Sequence, residues 1–164
     1  MRKVTIFFLT ATAIGIFSLT SCTKNNTTTV KTPDSVYSSN WVTLSMLPNL
    51  VDSDFEQNIS APAITSAILD HGVILGYGAF LNASQDTVVE NALEFDMFQT
   101  VSVGNILLQS GFNNTGLWYR YVIVPGNVLT TKGLTPLQAK SLSYAEVTKL
   151  IASTAGKAKS PTIQ

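Results

Sequence analysis

Leu117-Trp118-Tyr119-Arg120-Tyr121-Val122-Ile123-Val124, followed by Pro125-Gly126, is the stretch that decides the fold. Aromatic and β-branched side chains fit a pleated, packed surface, so this run reads as the strongest strand of the chain. Alternation puts Tyr119 and Tyr121 on one face and Arg120 and Val122 on the other. Proline followed by glycine ends it sharply.

Moving outward, Val73-Ile74-Leu75-Gly76-Tyr77-Gly78-Ala79-Phe80-Leu81 is almost continuously apolar. It reads as a central strand buried on both faces, with Gly76 and Gly78 marking a bulge or close backbone packing. Trp41–Met46 and Leu93–Phe98 alternate apolar and polar residues, the pattern of half-buried strands. Phe55–Ile59, Thr87–Val89, Thr100–Val103 and Asn105–Gln109 are shorter candidates, with Gly104 a bend or bulge between the last two. Leu47–Asp54, Asn82–Asp86, Gly111–Gly116 and Asn127–Leu142 read as loops or turns, the last with one helical turn after Thr135-Pro136.

Two segments change period. Ile64, Ala67 and Ile68 stand at i, i+3 and i+4. Ser60 serves as a cap, Pro62 fits the first turn and Gly72 lies just past the end, so the spacing predicts a helix over 61–71. Ser143 and Glu146 form a capping box ahead of Val147, Leu150 and Ile151, which predicts a helix over 144–153. Many short strands with so few helices exclude a βαβ fold. The expected fold is mainly β: an antiparallel β-sandwich, jelly-roll-like or Greek-key, with a short inserted helix and a C-terminal helix packed over one end. No internal repeat is present.

The chain begins differently. Arg2 and Lys3 precede an uncharged apolar run, Val4 to Phe17, of about 14 residues, shorter than the roughly 20 a membrane span needs. This is the pattern of an export signal. Leu19-Thr20-Ser21-Cys22 matches a lipobox, in which a thiol accepts diacylglycerol after small residues suited to the signal peptidase. Cys22 is the only cysteine in the chain. The expected organisation is a lipoprotein signal peptide over 1–21, lipid attachment at Cys22, a flexible polar tether over 22–37, a sandwich domain over 38–154 and a disordered tail over 155–164. Two or three acyl chains, palmitate among them, anchor a protein stably where a single one does not. Beyond Cys22 there is no thiol, hence no disulfide, and stability must come from burial.

Once Arg2 and Lys3 leave with the signal, 8 basic and 10 acidic side chains remain. That balance gives no reason to expect nucleic acid as a partner. Between Lys31 and Arg120 there is no Lys or Arg, whereas nine of the acidic residues lie there.

Three blocks, Ala63 to Leu75, Trp118 to Gly126 and Ser141 to Leu150, carry a resemblance. They are similar to blocks of uncharacterised secreted lipoproteins of the Bacteroidota, including an Arg-Tyr-Val-Ile-Ile-Pro-Gly block matched by Arg120 to Gly126. The resemblance spans about residues 36–152 and follows the same order. It implies a one-domain lipoprotein. It implies no activity, cofactor or catalytic residue.

Several side chains invite a chemical reading. His71 is the only histidine. A Ser-His-Asp hydrolase would have to use it, yet Asp70 is adjacent in sequence and poorly placed to orient it. A helix-end histidine beside the negative end of the dipole explains it better. Asp52, Asp54 and Glu56 alternate as Ca²⁺ ligands can, but without the glycine and distant glutamate of an EF-hand. Glu94 and Asp96 share a face if 93–98 is a strand, though a glycosidase needs carboxylates facing each other across a substrate. Trp41, Trp118, Tyr119 and Tyr121 could stack a sugar ring or simply fill a sandwich core. Asp34-Ser35-Val36 and Asp86-Thr87-Val88 match a short Asp-Ser/Thr-aliphatic O-glycosylation pattern of the Bacteroidota.

No catalytic, cofactor or metal residue is assigned. The expected role is a non-catalytic binding or structural accessory of the cell envelope, with an envelope hydrolase using carboxylates as the alternative. The expected partners are the membrane, through the lipid anchor, and a glycan or envelope protein. Thr23-Lys24-Asn25-Asn26 has neither the aspartate of inner-membrane retention nor the acidic residues of surface export. The expected location is therefore the outer membrane, on its periplasmic face.

Overall fold

The computed structural model describes residues 34–155. The expected signal peptide, Cys22, residues 22–33 of the expected tether and residues 156–164 of the expected tail lie outside the described residues. Among the described residues nine strands form two antiparallel sheets. The first sheet has the order β1-β9-β5-β6, from Tyr37–Ser38, Trp118–Val124, Val73–Leu81 and Thr87–Asn91. A short strand β2, Val42–Thr43, follows β1 along the same edge of β9. The second sheet has the order β3-β4-β8-β7, from Leu47–Pro48, Phe55–Ala61, Gly104–Ser110 and Phe98–Ser102. The chain crosses repeatedly between sheets, so β9 lies between β1 and β5, and β8 between β4 and β7.

The two sheets face each other across one core. Ile59, Ala61, Ile106 and Leu108 of the second sheet meet Tyr119, Tyr121 and Ile123 of β9, with Met97, Leu44 and Ile64 completing the cluster. The opposite face of the first sheet is also covered. Val73, Leu75 and Tyr77 of β5 and Val122 and Val124 of β9 pack against Val128 and Leu129 of α2 (Gly126–Lys132), Ala139 of α3 (Pro136–Lys140), and Val147 and Leu150 of α4 (Tyr144–Ala155). Burial on both faces is why β5 and β9 read as nearly unbroken apolar runs. The tyrosine and valine faces of β9 fall as alternation requires. The Tyr77 hydroxyl donates to the Leu142 carbonyl at 2.9 Å, tying sheet to helical layer.

Several expectations need correction. Trp41–Met46 is a strand only at Val42–Thr43, and Leu47–Pro48, read as the start of a loop, is β3. The helices α2 to α4 cover a face of the sandwich, not its end, because Val122 and Val124 of β9 and the odd positions of β5 present an apolar surface there. The segment 127–142 is not a loop with one turn; it holds two helices. Pro125 supplies a fixed extended entry to α2, which shows only Val128 and Leu129 to the core and is too short for its period to register. The inserted helix, α1, is Ser66–His71 rather than 61–71. Ser60 and Ala61 are held in β4 by pairing with Asn105 and Gly104, and Thr65, not Ser60, caps the helix through the Ile68 amide. Gly72 takes an extended conformation at its end.

Leu93–Phe98 is not a strand. Ala92–Phe95 forms a 3-10 helix, Asp96 takes the left-handed conformation at φ 55°, and β7 begins only at Phe98. The Asn91 side chain accepts from the Leu93 amide, and Asp96 accepts from the Gly111 amide. Such local side-chain bonds compete with the sheet ladder and here override the alternation. The domain boundaries also move. Val36 is buried and its amide donates to Thr154 Oγ1 at 3.2 Å, so residues 34–37 belong to the domain, and Ala155 belongs to α4.

Candidate functional site

β5 is nine residues long, but β6 covers only part of one edge: Tyr77 to Leu81 pair with Asn91 to Thr87. At Asn91 the chain turns into the 3-10 helix instead of continuing along β5. Among the described residues the edge from Val73 to Gly76 therefore has no strand partner on that side, while β9 pairs with it on the other. A groove of about 430 Å³ lies along this edge. Leu69 of α1, Leu93 of the 3-10 helix and Phe98 of β7 line it and are exposed large apolar side chains. Among the described residues its one charged wall residue is Lys140 of α3.

The floor of the groove is held by Gln99 of β7. Its amide nitrogen donates to the Ile74 carbonyl at 3.1 Å, and its amide oxygen accepts from the Tyr119 hydroxyl at 2.9 Å. A side chain thus occupies one position that a neighbouring strand would otherwise fill. Tyr119 is fully buried, and desolvation pushes its hydroxyl pKa well above the ordinary tyrosine value, so it stays a neutral donor. Gly76 is required by this arrangement: a Cβ there would lie 2.8 Å from Gln99 Oε1 and 3.1 Å from the Tyr119 ring. At Gly78 a Cβ would fall 2.5 Å from the Phe95 ring. The close-packing reading of the two glycines holds.

A second depression, of about 290 Å³, is lined by Trp41, Ala79, Thr87 and Trp118. Beside it the Arg120 guanidinium lies 4.9 Å from the Trp41 ring centre and 5.9 Å from that of Tyr144. Its Nε donates to the Ser39 carbonyl at 3.1 Å, and its terminal nitrogens donate to the same carbonyl and to the Tyr144 hydroxyl. This cluster binds the β1–β2 connection to α4. The four aromatics named from sequence therefore separate. Trp41 and Trp118 share a half-exposed depression, whereas Tyr119 and Tyr121 are buried in the sandwich core. Burial and the neighbouring Tyr37 push the Tyr121 hydroxyl up to about 12.

The remaining sequence candidates are scattered. His71 sits exposed in the last turn of α1. Asp52 is exposed beside Ser53, which has φ 61°, and Glu56 accepts from the Asn49 side-chain amide at 3.3 Å. Glu94 and Asp96 do not share a sheet face, since neither is in a strand. Among the described residues no group of three His, Cys, Asp or Glu side chains could hold a metal ion. Asp34 accepts from the Asn127 side chain at 2.6 Å, and Thr87 is exposed at the start of β6. The groove beside β5 was not anticipated; the run Val73–Leu81 marks a central strand but says nothing of how far its neighbour extends. No helix among the described residues is long and apolar enough to cross a membrane. No protein-family model, no curated protein and no solved structure matches the chain.

Proposed function

We propose that the chain is a lipid-anchored, non-catalytic binding module of the bacterial cell envelope. Cys22 carries the acyl chains, and the outer membrane, on its periplasmic side, is the location. The observation that carries the binding reading is the groove beside β5: apolar walls, a single cation and a strand edge left unpaired suit recognition. The anchor reading rests on the lipobox Leu19-Thr20-Ser21-Cys22 behind a charged and then apolar leader, and on the resemblance to secreted lipoproteins. A domain that begins near residue 34 leaves a short polar segment between Cys22 and β1, enough to hold the sandwich near a bilayer.

Intact-mass spectrometry of membrane-extracted protein, beside a Cys22→Ser variant, tests the anchor. The expected result is a mature chain starting at Cys22 with the added mass of acyl chains, lost in the variant. An unmodified chain cleaved elsewhere would overturn it.

A further inference from the structure

We propose that the edge of β5 left without a strand over Val73–Gly76 takes up an extended peptide segment of a partner protein as an added strand, displacing what now packs against it, with apolar side chains at alternate positions and a carboxylate directed to Lys140. The proposal deepens the binding reading above and rests on it.

Three independent observations converge. The first is register. β6 stops at Asn91, opposite Tyr77, and no other strand among the described residues pairs with the Val73–Gly76 edge, although its opposite edge is paired by β9. An unpaired strand edge is a template for another chain, and proteins normally shorten, charge or cover such edges. Here no proline and no charged residue lies within the stretch, which reads Val-Ile-Leu-Gly. The second is chemistry at the edge. Gln99 reaches from the other sheet to cap the Ile74 carbonyl, so that position already accepts a hydrogen bond of the kind a strand supplies. A backbone amide of an added strand would take the place of this one donor at the Ile74 carbonyl, while the Gln99 amide oxygen keeps its bond from the Tyr119 hydroxyl.

The third is the rim. Leu69, Leu93 and Phe98 are 38%, 60% and 57% exposed and come from three different elements around one groove. In strand addition, main-chain bonds supply affinity, and pockets for alternate side chains supply selectivity. Charge selects further. Among the described residues Lys140 is the lone charged one lining the groove, so a carboxylate on the occupant is matched and an ammonium is opposed.

The test uses the full chain in detergent and a pool of octapeptides with Val, Ile, Leu or Phe at every second position, Thr elsewhere and a free C-terminal carboxylate. Hydrogen–deuterium exchange is followed with and without the pool. The expected result is slowed exchange of the amides between Val73 and Gly76. The same peptides N-methylated at alternate amides should give no slowing. A Leu93→Ser/Phe98→Ser variant should weaken binding about tenfold or more and Lys140→Gln severalfold, whereas Phe112→Ser, an exposed change away from the groove, should not.

Equal binding by the N-methylated pool, or binding that leaves these amides unprotected, would overturn strand addition. So would failure of every peptide in the pool. Protection by decanoate alone would mean that the groove takes an acyl chain; strand addition would then fall while the binding reading stands. The mass measurement on Cys22 is untouched by any of these results, so loss of the anchor and loss of strand addition are told apart.

Discussion

The Tyr119 hydroxyl, rooted in the first sheet, donates at 2.9 Å to the Gln99 side chain, rooted in the second. Gln99 passes the connection back to the first sheet through the Ile74 carbonyl. This bridge crosses an otherwise apolar core, and removing one partner strands the others. Gln99→Leu should cost about 1–3 kcal/mol, the usual penalty for a buried polar group left unpaired. In a Tyr119→Phe background the same change should cost less. Urea denaturation of the four proteins in that cycle reads the coupling; strictly additive losses would show that the bridge contributes nothing.

Gly78 lies under the Phe95 ring. Alanine there must push aside a ring that begins 2.5 Å from the new Cβ. Overpacking of this kind costs about 1–3 kcal/mol. Gly78→Ala should lower the denaturation midpoint, and a Phe95→Leu companion change should restore part of the loss. A Gly78→Ala protein as stable as the parent would contradict the close approach.

Alkaline sensitivity follows from the tyrosines. Burial raises the pKa of both Tyr77 and Tyr119, and the nearby Glu146 adds to the effect at Tyr77. The unfolded chain loses these protons near pH ~10, while the folded chain keeps them. Their contribution is therefore complete below about pH 10 and declines as pH rises above it, because the unfolded state is then favoured by ionisation. Stability measured from neutral to strongly alkaline pH should fall along this limb. Tyr119→Phe, although less stable at neutral pH, should show a shallower fall; an unchanged slope would assign the limb to other groups.

The start of α4 should respond to acid. Glu146 accepts from the Ser143 amide at 2.8 Å and hydroxyl at 2.7 Å, and these bonds hold its carboxyl below the ordinary range. A depressed carboxyl stabilises the folded chain above its unfolded pKa of about 4.3, and that contribution is lost as pH falls through the folded value. Glu146→Gln should differ from the parent at neutral pH and converge with it in acid. Ser143→Ala, which removes the cap itself, should cost about 1 kcal/mol. Helix content followed by circular dichroism across the acid range checks both.

Much of the architecture was legible because burial writes itself into composition. β5 and β9 are apolar on both faces, and the capping box at Ser143–Glu146 announced α4. What escaped reading was decided by local polar contacts or by distant pairing. Asn91 and Asp96 turn 92–97 away from the sheet although Leu93, Phe95 and Met97 alternate as a strand would. Ser60 looked like a cap because nothing in its neighbourhood reveals that β8 pairs with it. The groove was invisible for the same reason: its existence depends on where β6 stops, which Asn91 determines through the turn it caps. The candidate chemical residues could be named from type alone, but their separation in space could not.

The Val36 amide donates to Thr154 Oγ1, so two residues 118 positions apart in the chain sit side by side. The domain is thus almost a closed ring, and its present opening is only one of several that the fold permits. A short bridge from Ala155 to Asp34, with new termini cut in the exposed Asn82–Asp86 turn, should give a circular permutant with the same two sheets. Such a rearranged chain would begin and end beside Leu81, at the other end of β5 from Val73 and from the Val122–Ile123 segment of β9 on which β1 lies, so whatever is joined to its N-terminus would leave the sandwich from the opposite pole.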